Sequence, residues 1–217
     1  MQNLQENKIY IIFSSTPLKI GKFIRFVTSN KYNHVSISLD SSLQTMYSFC
    51  RYYKSTPLYG GFVKEYSSRH KNKDKLSNIK VCEIILNDKK YHCIKEYLNS
   101  MENSQDKYIY NLFSAMFVPF RKRIFIPYSF TCVEFVVNTL SKIDDKIIKD
   151  KFYSIQDLEK HFNSNVIYEG PIKIDNINND DCFLEKKSIV YNIYHTFSSF
   201  KKLTYRLIKN SKKRSSV

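Results

Sequence analysis

The thiol and the imidazole are the side chains best suited to covalent acyl chemistry near neutral pH, and this 217-residue chain carries five of each. The cysteines, Cys50, Cys82, Cys93, Cys132 and Cys182, are odd in number, widely spaced and free of any CxxC pair. That spacing implies neither a disulfide framework nor a zinc knuckle, so reduced thiols and no metal or cofactor are expected. Cys132 stands apart by its context. Pro127 ends whatever precedes it, and a helix is expected to start at Ser129 to Thr131, capped by Ser129, or by Thr131 with Glu134 three residues on as a capping box. Either start places Cys132 in the first turn, where free backbone N–H groups and the helix dipole favour a thiolate. The alternative is a small buried hydrophobe, as most isolated cysteines are.

A nucleophile needs a base, and His34 is the candidate. It opens the run His34-Val35-Ser36-Ile37-Ser38-Leu39, which alternates strictly and reads as a strand with His34, Ser36 and Ser38 on one face. A histidine on a strand facing a helix N-terminus has the base–nucleophile arrangement of a papain-like hydrolase. His70, His92, His161 and His195 lie in charged or solvent-like contexts and read as surface residues.

The elements that must position these two residues follow from periodicity. Strands are expected at Ile9 to Ser14, at Gln44 to Tyr53 after an Asp40-Ser41-Ser42 turn, and at Lys80 to Leu86. Pro17 to Ser29 has the spacing of a short amphipathic helix, and Tyr91 to Glu102 places Ile94, Tyr97, Leu98 and Met101 on one helical side. Pro57 and Gly60-Gly61 mark a loop closed by Phe62 to Glu65, and the charged, aperiodic Ser67 to Asn78 reads as an exposed excursion. Phe113 to Phe120 fits a helix and a buried loop equally. Val133, Val136, Val137 and Leu140 supply the buried stripe of the cysteine helix, and two short segments follow at Ile155 to Phe162 and Asn165 to Ile174.

Taken in order, the strand-borne NHVSISL, then MYSF, GGFVKE, and FTCVEFV at a helix start resemble the permuted branch of the NlpC superfamily of papain-like proteins, with its YiiX-like and lecithin:retinol acyltransferase-like members. Within it, Tyr47-Ser48-Phe49-Cys50-Arg51, Gly60 to Glu65, Cys132 to Val136 and Tyr168-Glu169-Gly170 are similar to runs in uncharacterised clostridial-type proteins. The likeness spans about Lys8 to Ile174. It implies an α+β fold in which an antiparallel sheet packs against the helix carrying the cysteine, permuted relative to papain so that histidine precedes cysteine. It also implies a cysteine peptidase- or amidase-like hydrolase or acyltransferase: Cys132 forms an acyl-enzyme from a peptide, amide or lipid ester, and His34 is its base. A third polar group, implied to orient the histidine, falls near Ser48, with Tyr47 and Glu65 as alternatives. Tyr128 could turn a hydroxyl toward an oxyanion beside the Cys132 N–H. Cys50 and Glu134 depart from the pattern, and a carboxylate at Glu134 that entered the site would hold the thiol protonated.

Composition bounds the rest. The chain is 42% hydrophobic and carries a formal charge of +15, from 35 Lys+Arg against 20 Asp+Glu. It has ample material for one core, expected over residues 1–187. From Ser188 a basic tail, residues 188–217, puts Ile189, Ile193, Phe197, Phe200, Leu203 and Leu207 on one helical face, with Lys201, Lys202, Arg206, Lys209, Lys212, Lys213 and Arg214 crowding its second half. Such a helix reads either as a docked helix with a solvated basic end or as a contact for an anionic membrane surface. No secretory signal and no run of about 20 apolar residues is visible, so a cytoplasmic protein, peripheral to a membrane at most, is expected. Two rivals to an enzyme follow from the charge: a degenerate basic binding module, and a nucleic-acid binder, against which the scattered basic residues speak.

Overall fold

The computed structural model describes residues 7–16, 30–72, 75–173 and 181–215. The protein is α+β, with several helices around a six-stranded antiparallel sheet. The strands are β1 (Asn7–Ser15), β2 (His34–Ser38), β3 (Met46–Arg51), β4 (Gly60–Glu65), β7 (Asn78–Leu86) and β10 (Val166–Pro171), in the spatial order β10-β7-β1-β2-β3-β4. Two short pairs, β5 (Lys71–Asn72) with β6 (Lys75–Leu76) and β8 (Ile109–Tyr110) with β9 (Ser129–Phe130), lie outside it. The helices are α1 (Asp88–Glu102), α2 (Leu112–Phe117), α3 (Cys132–Leu140), α4 (Ile155–His161), α5 (Asp181–Leu184) and α6 (Ile189–Ser215).

The unbroken apolar run of β1 makes it the central strand, since only a strand covered on both faces buries every residue of such a run. Ile9, Ile11 and Phe13 enter the larger core with Val35, Ile37, Tyr47, Phe49 and Phe62; Tyr10 and Ile12 face the other way, against Met46, Ile79, Val81 and Ile172. The larger core is closed by Ile94, Leu98 and Met101 of α1 and by Phe135, Val136 and Leu140 of α3. Helix α3 packs against β2 and β3, so the strand that carries His34 also supports the cysteine helix.

Several expectations change. The Gly60 to Glu65 segment is not the close of a loop but the edge strand, paired with β3 from Arg51↔Gly60 to Met46↔Glu65. A Cβ on Gly61 would lie 2.4 Å from the Tyr108 carbonyl oxygen, so this strand runs where no side chain fits. The described residues of the Ser67 to Asn78 excursion form a 3₁₀ turn and a short antiparallel pair, which brings Arg69 and His70 into the interior. Phe113 to Phe120 is α2 followed by a 3₁₀ turn, with Met116 and Phe120 exposed. The segment from Asn165 onward is strand β10, antiparallel to β7. The helix expected over Pro17 to Ser29 lies outside the described residues. From Ser188 the chain is one long helix, α6, whose apolar positions divide: Leu203 is fully buried beside Ile109, Leu112 and Ile126, with Phe200 and Leu207 packed around it, whereas Ile189, Ile193 and Phe197 are exposed. No helix among the described residues is long and apolar enough to cross a membrane.

Candidate active site

Cys132 is the first residue of α3, and Thr131 is its N-cap. The Thr131 hydroxyl accepts from the Glu134 N–H at 3.2 Å, and Glu134 Oε2 accepts from the Thr131 N–H at 2.7 Å, which completes the capping box. Of the two caps open in the sequence, Thr131 is used. Glu134 Oε1 is occupied as well: the Ser114 hydroxyl donates to it at 2.7 Å and the Arg123 Nε lies 3.3 Å away. Burial raises the Glu134 pKa, against the lowering effect of Ser114, Thr131 and Arg123. The carboxylate is thus committed to the helix start and its neighbours.

His34 stands at the first position of β2 and is buried. Its Nε2 is 2.7 Å from Glu65 Oε1, and the imidazole shares the wall of one cavity with Cys132, close enough for the thiol to act on its titration. Burial pushes the His34 pKa down, but the Glu65 charge, the Cys132 thiol and the Glu65 hydrogen bond outweigh it and leave the pKa well above the usual imidazole range. Glu65 moves the opposite way. Burial would raise its pKa, yet the charge and hydrogen bond of His34, with smaller effects from His70 and Arg69, hold it well below the usual carboxylate range. An ionised Glu65 accepts from Nε2–H, which leaves Nδ1 as the ring nitrogen for the thiol.

Among the three candidates for the orienting group, the geometry favours Glu65. The Ser48 hydroxyl donates to Glu65 Oε1 rather than to the imidazole, so it braces the carboxylate and does not orient the histidine itself. Tyr47 lies in the aromatic core, its ring near Phe62. Strand alternation explains the difference: Val35, Ile37, Tyr47, Phe49 and Phe62 point into the larger core, while His34, Ser36, Ser48 and Glu65 are the buried polar residues of the other face. The lone carboxylate in GGFVKE, two positions from Val63 on the same face, was the signal available.

Tyr128 does not join the site. It has φ 57°, is 55% exposed, lies beside the Tyr108 ring and under the Arg206 guanidinium, and lines neither cavity that reaches Cys132. The tyrosine that shares both cavity walls with the cysteine is Tyr110, which sequence reasoning missed. Tyr110 lines both cavities at Cys132, and burial, with smaller contributions from Cys132, Glu134 and Cys50, keeps its phenol protonated. Nothing in the short Ile109-Tyr110 pair marks it in advance, because β8 is placed by parallel pairing with β9, just before the cysteine helix.

Two cavities meet at the thiol. One, of about 310 Å³, is lined by Val133, Val137, Met116, Phe152, Tyr153 and Ile155 among others; the second, of about 210 Å³, contains His34, Glu65, Arg51, Arg69 and His70. Asn33, Tyr110, Ala115 and Cys132 line both. His70, read from sequence as a surface residue, is 1% exposed, and burial lowers its pKa to about 4, despite the opposing charge of Glu65. No group of three or more His, Cys, Asp or Glu placed to hold a metal ion occurs among the described residues. Comparison with known proteins finds no family model, no curated protein and no solved structure that matches this chain.

Proposed function

We propose that the protein is a thiol hydrolase or acyltransferase of the permuted papain-like kind, with Cys132 as nucleophile, His34 as base and acid, and Glu65 as the group that orients His34. The observation that carries this reading is that buried Cys132, His34 and Glu65, brought from a helix start and two strands, line one cavity with His34 bonded to Glu65. In the first step the Cys132 sulfur gives its proton to His34 Nδ1 and adds to the carbonyl carbon of an amide or ester. The carbonyl π pair moves to oxygen, where the Cys132 backbone N–H, which has no intrahelical partner, and the Tyr110 hydroxyl are the available donors. Collapse breaks the bond to the leaving nitrogen or oxygen, which takes the Nδ1 proton and departs, leaving a thioester on Cys132. Water or another acceptor then attacks the thioester, gives its proton to His34, and frees the thiolate.

The test is thiol reactivity. Under limiting iodoacetamide near neutral pH, Cys132 is expected to label before Cys82, Cys93 and Cys182, and His34→Ala and Glu65→Gln are each expected to slow it by about tenfold or more. Labelling of the other thiols first, with Cys132 silent until denaturation, would return Cys132 to the role of a core residue. That outcome would favour the degenerate binding module.

A further inference from the structure

The two cavities that meet at Cys132 are not equivalent, because His34 lines only the smaller one. If His34 is the acid that protonates the departing atom, as proposed above, the leaving group must occupy the His34 side and the acyl group the side of Val133, Val137, Phe152 and Ile155. The leaving-group side has a definite chemistry. Arg51 lines it; the guanidinium has a long contact of 3.5 Å to the Lys54 carbonyl oxygen and lies 5.7 Å from the Phe183 ring, and no carboxylate among the described residues pairs with it. A guanidinium carries five donors in a planar fork that suits an oxyacid. His70, on the same wall, has both ring nitrogens unpartnered although it is almost wholly buried, and its Nε2 stops 3.7 Å short of Glu65 Oε2. Leaving such a buried group unsatisfied is costly, a cost that a bound polar group would remove. The carboxylate that lines this side, Glu65, has its Oε1 held by His34 and Ser48, and its Oε2 lies beyond hydrogen-bond reach of His70.

We infer that the His34 side of the site is an anion subsite, in which Arg51 and His70 receive a carboxylate or phosphate carried by the leaving group of the substrate. The substrate class is then an apolar acyl group joined to an acidic amine or alcohol. A neutral His70 donates one N–H to the oxyacid, and Arg51 supplies the charge and the fork.

The inference rests on the thiol-hydrolase reading, and one experiment separates the two. Protection of Cys132 from iodoacetamide is measured with N-octanoylglycine against N-octanoylglycinamide, and with 1-octanoylglycerol 3-phosphate against 1-octanoylglycerol. The acidic compound of at least one pair is expected to protect at about tenfold lower concentration than its neutral counterpart, the worth of one charge-assisted contact. Which pair shows the effect tells carboxylate from phosphate. Arg51→Ala is expected to erase the difference, and Arg51→Lys to retain part of it. Equal protection by acidic and neutral compounds, with Cys132 still the first thiol to label, overturns the anion subsite alone. Failure of Cys132 to label first overturns the hydrolase reading and this inference with it.

Discussion

Glu134 and His70 show how much depends on where a single titratable side chain is held. In sequence, a carboxylate two residues after the nucleophile reads as a threat to the thiolate; in the fold its two oxygens are taken by the Thr131 N–H and the Ser114 hydroxyl, with Arg123 alongside. Glu134→Gln is therefore expected to leave Cys132 alkylation nearly unchanged and to cost about 1–3 kcal/mol in urea unfolding, because a buried charge-assisted network loses its charge. Faster alkylation of the variant would show the carboxylate acting on the thiol after all. His70 makes a prediction in pH. It takes up a proton near pH 6.5 when unfolded and only near 4 when folded, so between those values the unfolded chain binds more protons and stability falls as pH falls. The loss is on the order of 3 kcal/mol from pH 6.5 to 4. The raised His34 works on the other side: its contribution is full below pH 6.5 and fades as pH rises through its folded value. Glu65 contributes above its unfolded value and loses that only as pH drops through its depressed folded one. Urea titrations at pH 7 and pH 5 should show a smaller loss for His70→Asn than for the unaltered protein. An equal loss would place the acid sensitivity elsewhere.

At the scale of the element, the cysteine helix and the histidine strand were legible because each is a local pattern: a cap, a box and an apolar stripe for one, strict alternation for the other. Glu65 was only half legible. Its strand opens with Gly60-Gly61, which by composition reads as a turn, and it becomes a strand because β3 offers an edge and because Gly61 passes the Tyr108 carbonyl where a side chain would collide. Tyr110 and His70 were not legible at all, since a two-residue strand and a 3₁₀ turn have no period and are placed wholly by distant partners. The helix start gives the test at this scale. Thr131→Ala is expected to cost about 1 kcal/mol and to slow Cys132 alkylation as the first turn frays, while Thr131→Ser restores both. A stable Thr131→Ala protein with unchanged alkylation would mean that the cap does not tune the thiol.

For the whole molecule, the C-terminal helix is less separable than its sequence implies. Leu203 packs among Ile109, Leu112 and Ile126, and Arg206 donates to the carbonyl oxygens of Pro127, Tyr128 and Lys107 and to the Ser129 hydroxyl. A chain ending at Lys187 would leave Ile109, Leu112 and Ile126 open to water. Leu203→Ala is expected to cost about 2–5 kcal/mol, and the truncated chain to unfold at distinctly lower urea. Full stability of the truncated chain would make α6 an appendage. The outward face of α6 exposes Val190, Ile193, Tyr194, Phe197, Tyr205 and Ile208, of which the apolar stripe read from the sequence includes only Ile193 and Phe197.

The two ends of α6 hold different things. Near its start, Asn192 donates to the Ser55 carbonyl oxygen, and His195 stacks on Tyr59 in the loop that walls the His34 side of the site. Further on, Arg206 grips the backbone just ahead of the cysteine helix. The helix is in effect a tie-rod between these two places, so a load applied along its exposed side is shared between the Tyr59 loop beside His34 and the backbone just ahead of Cys132.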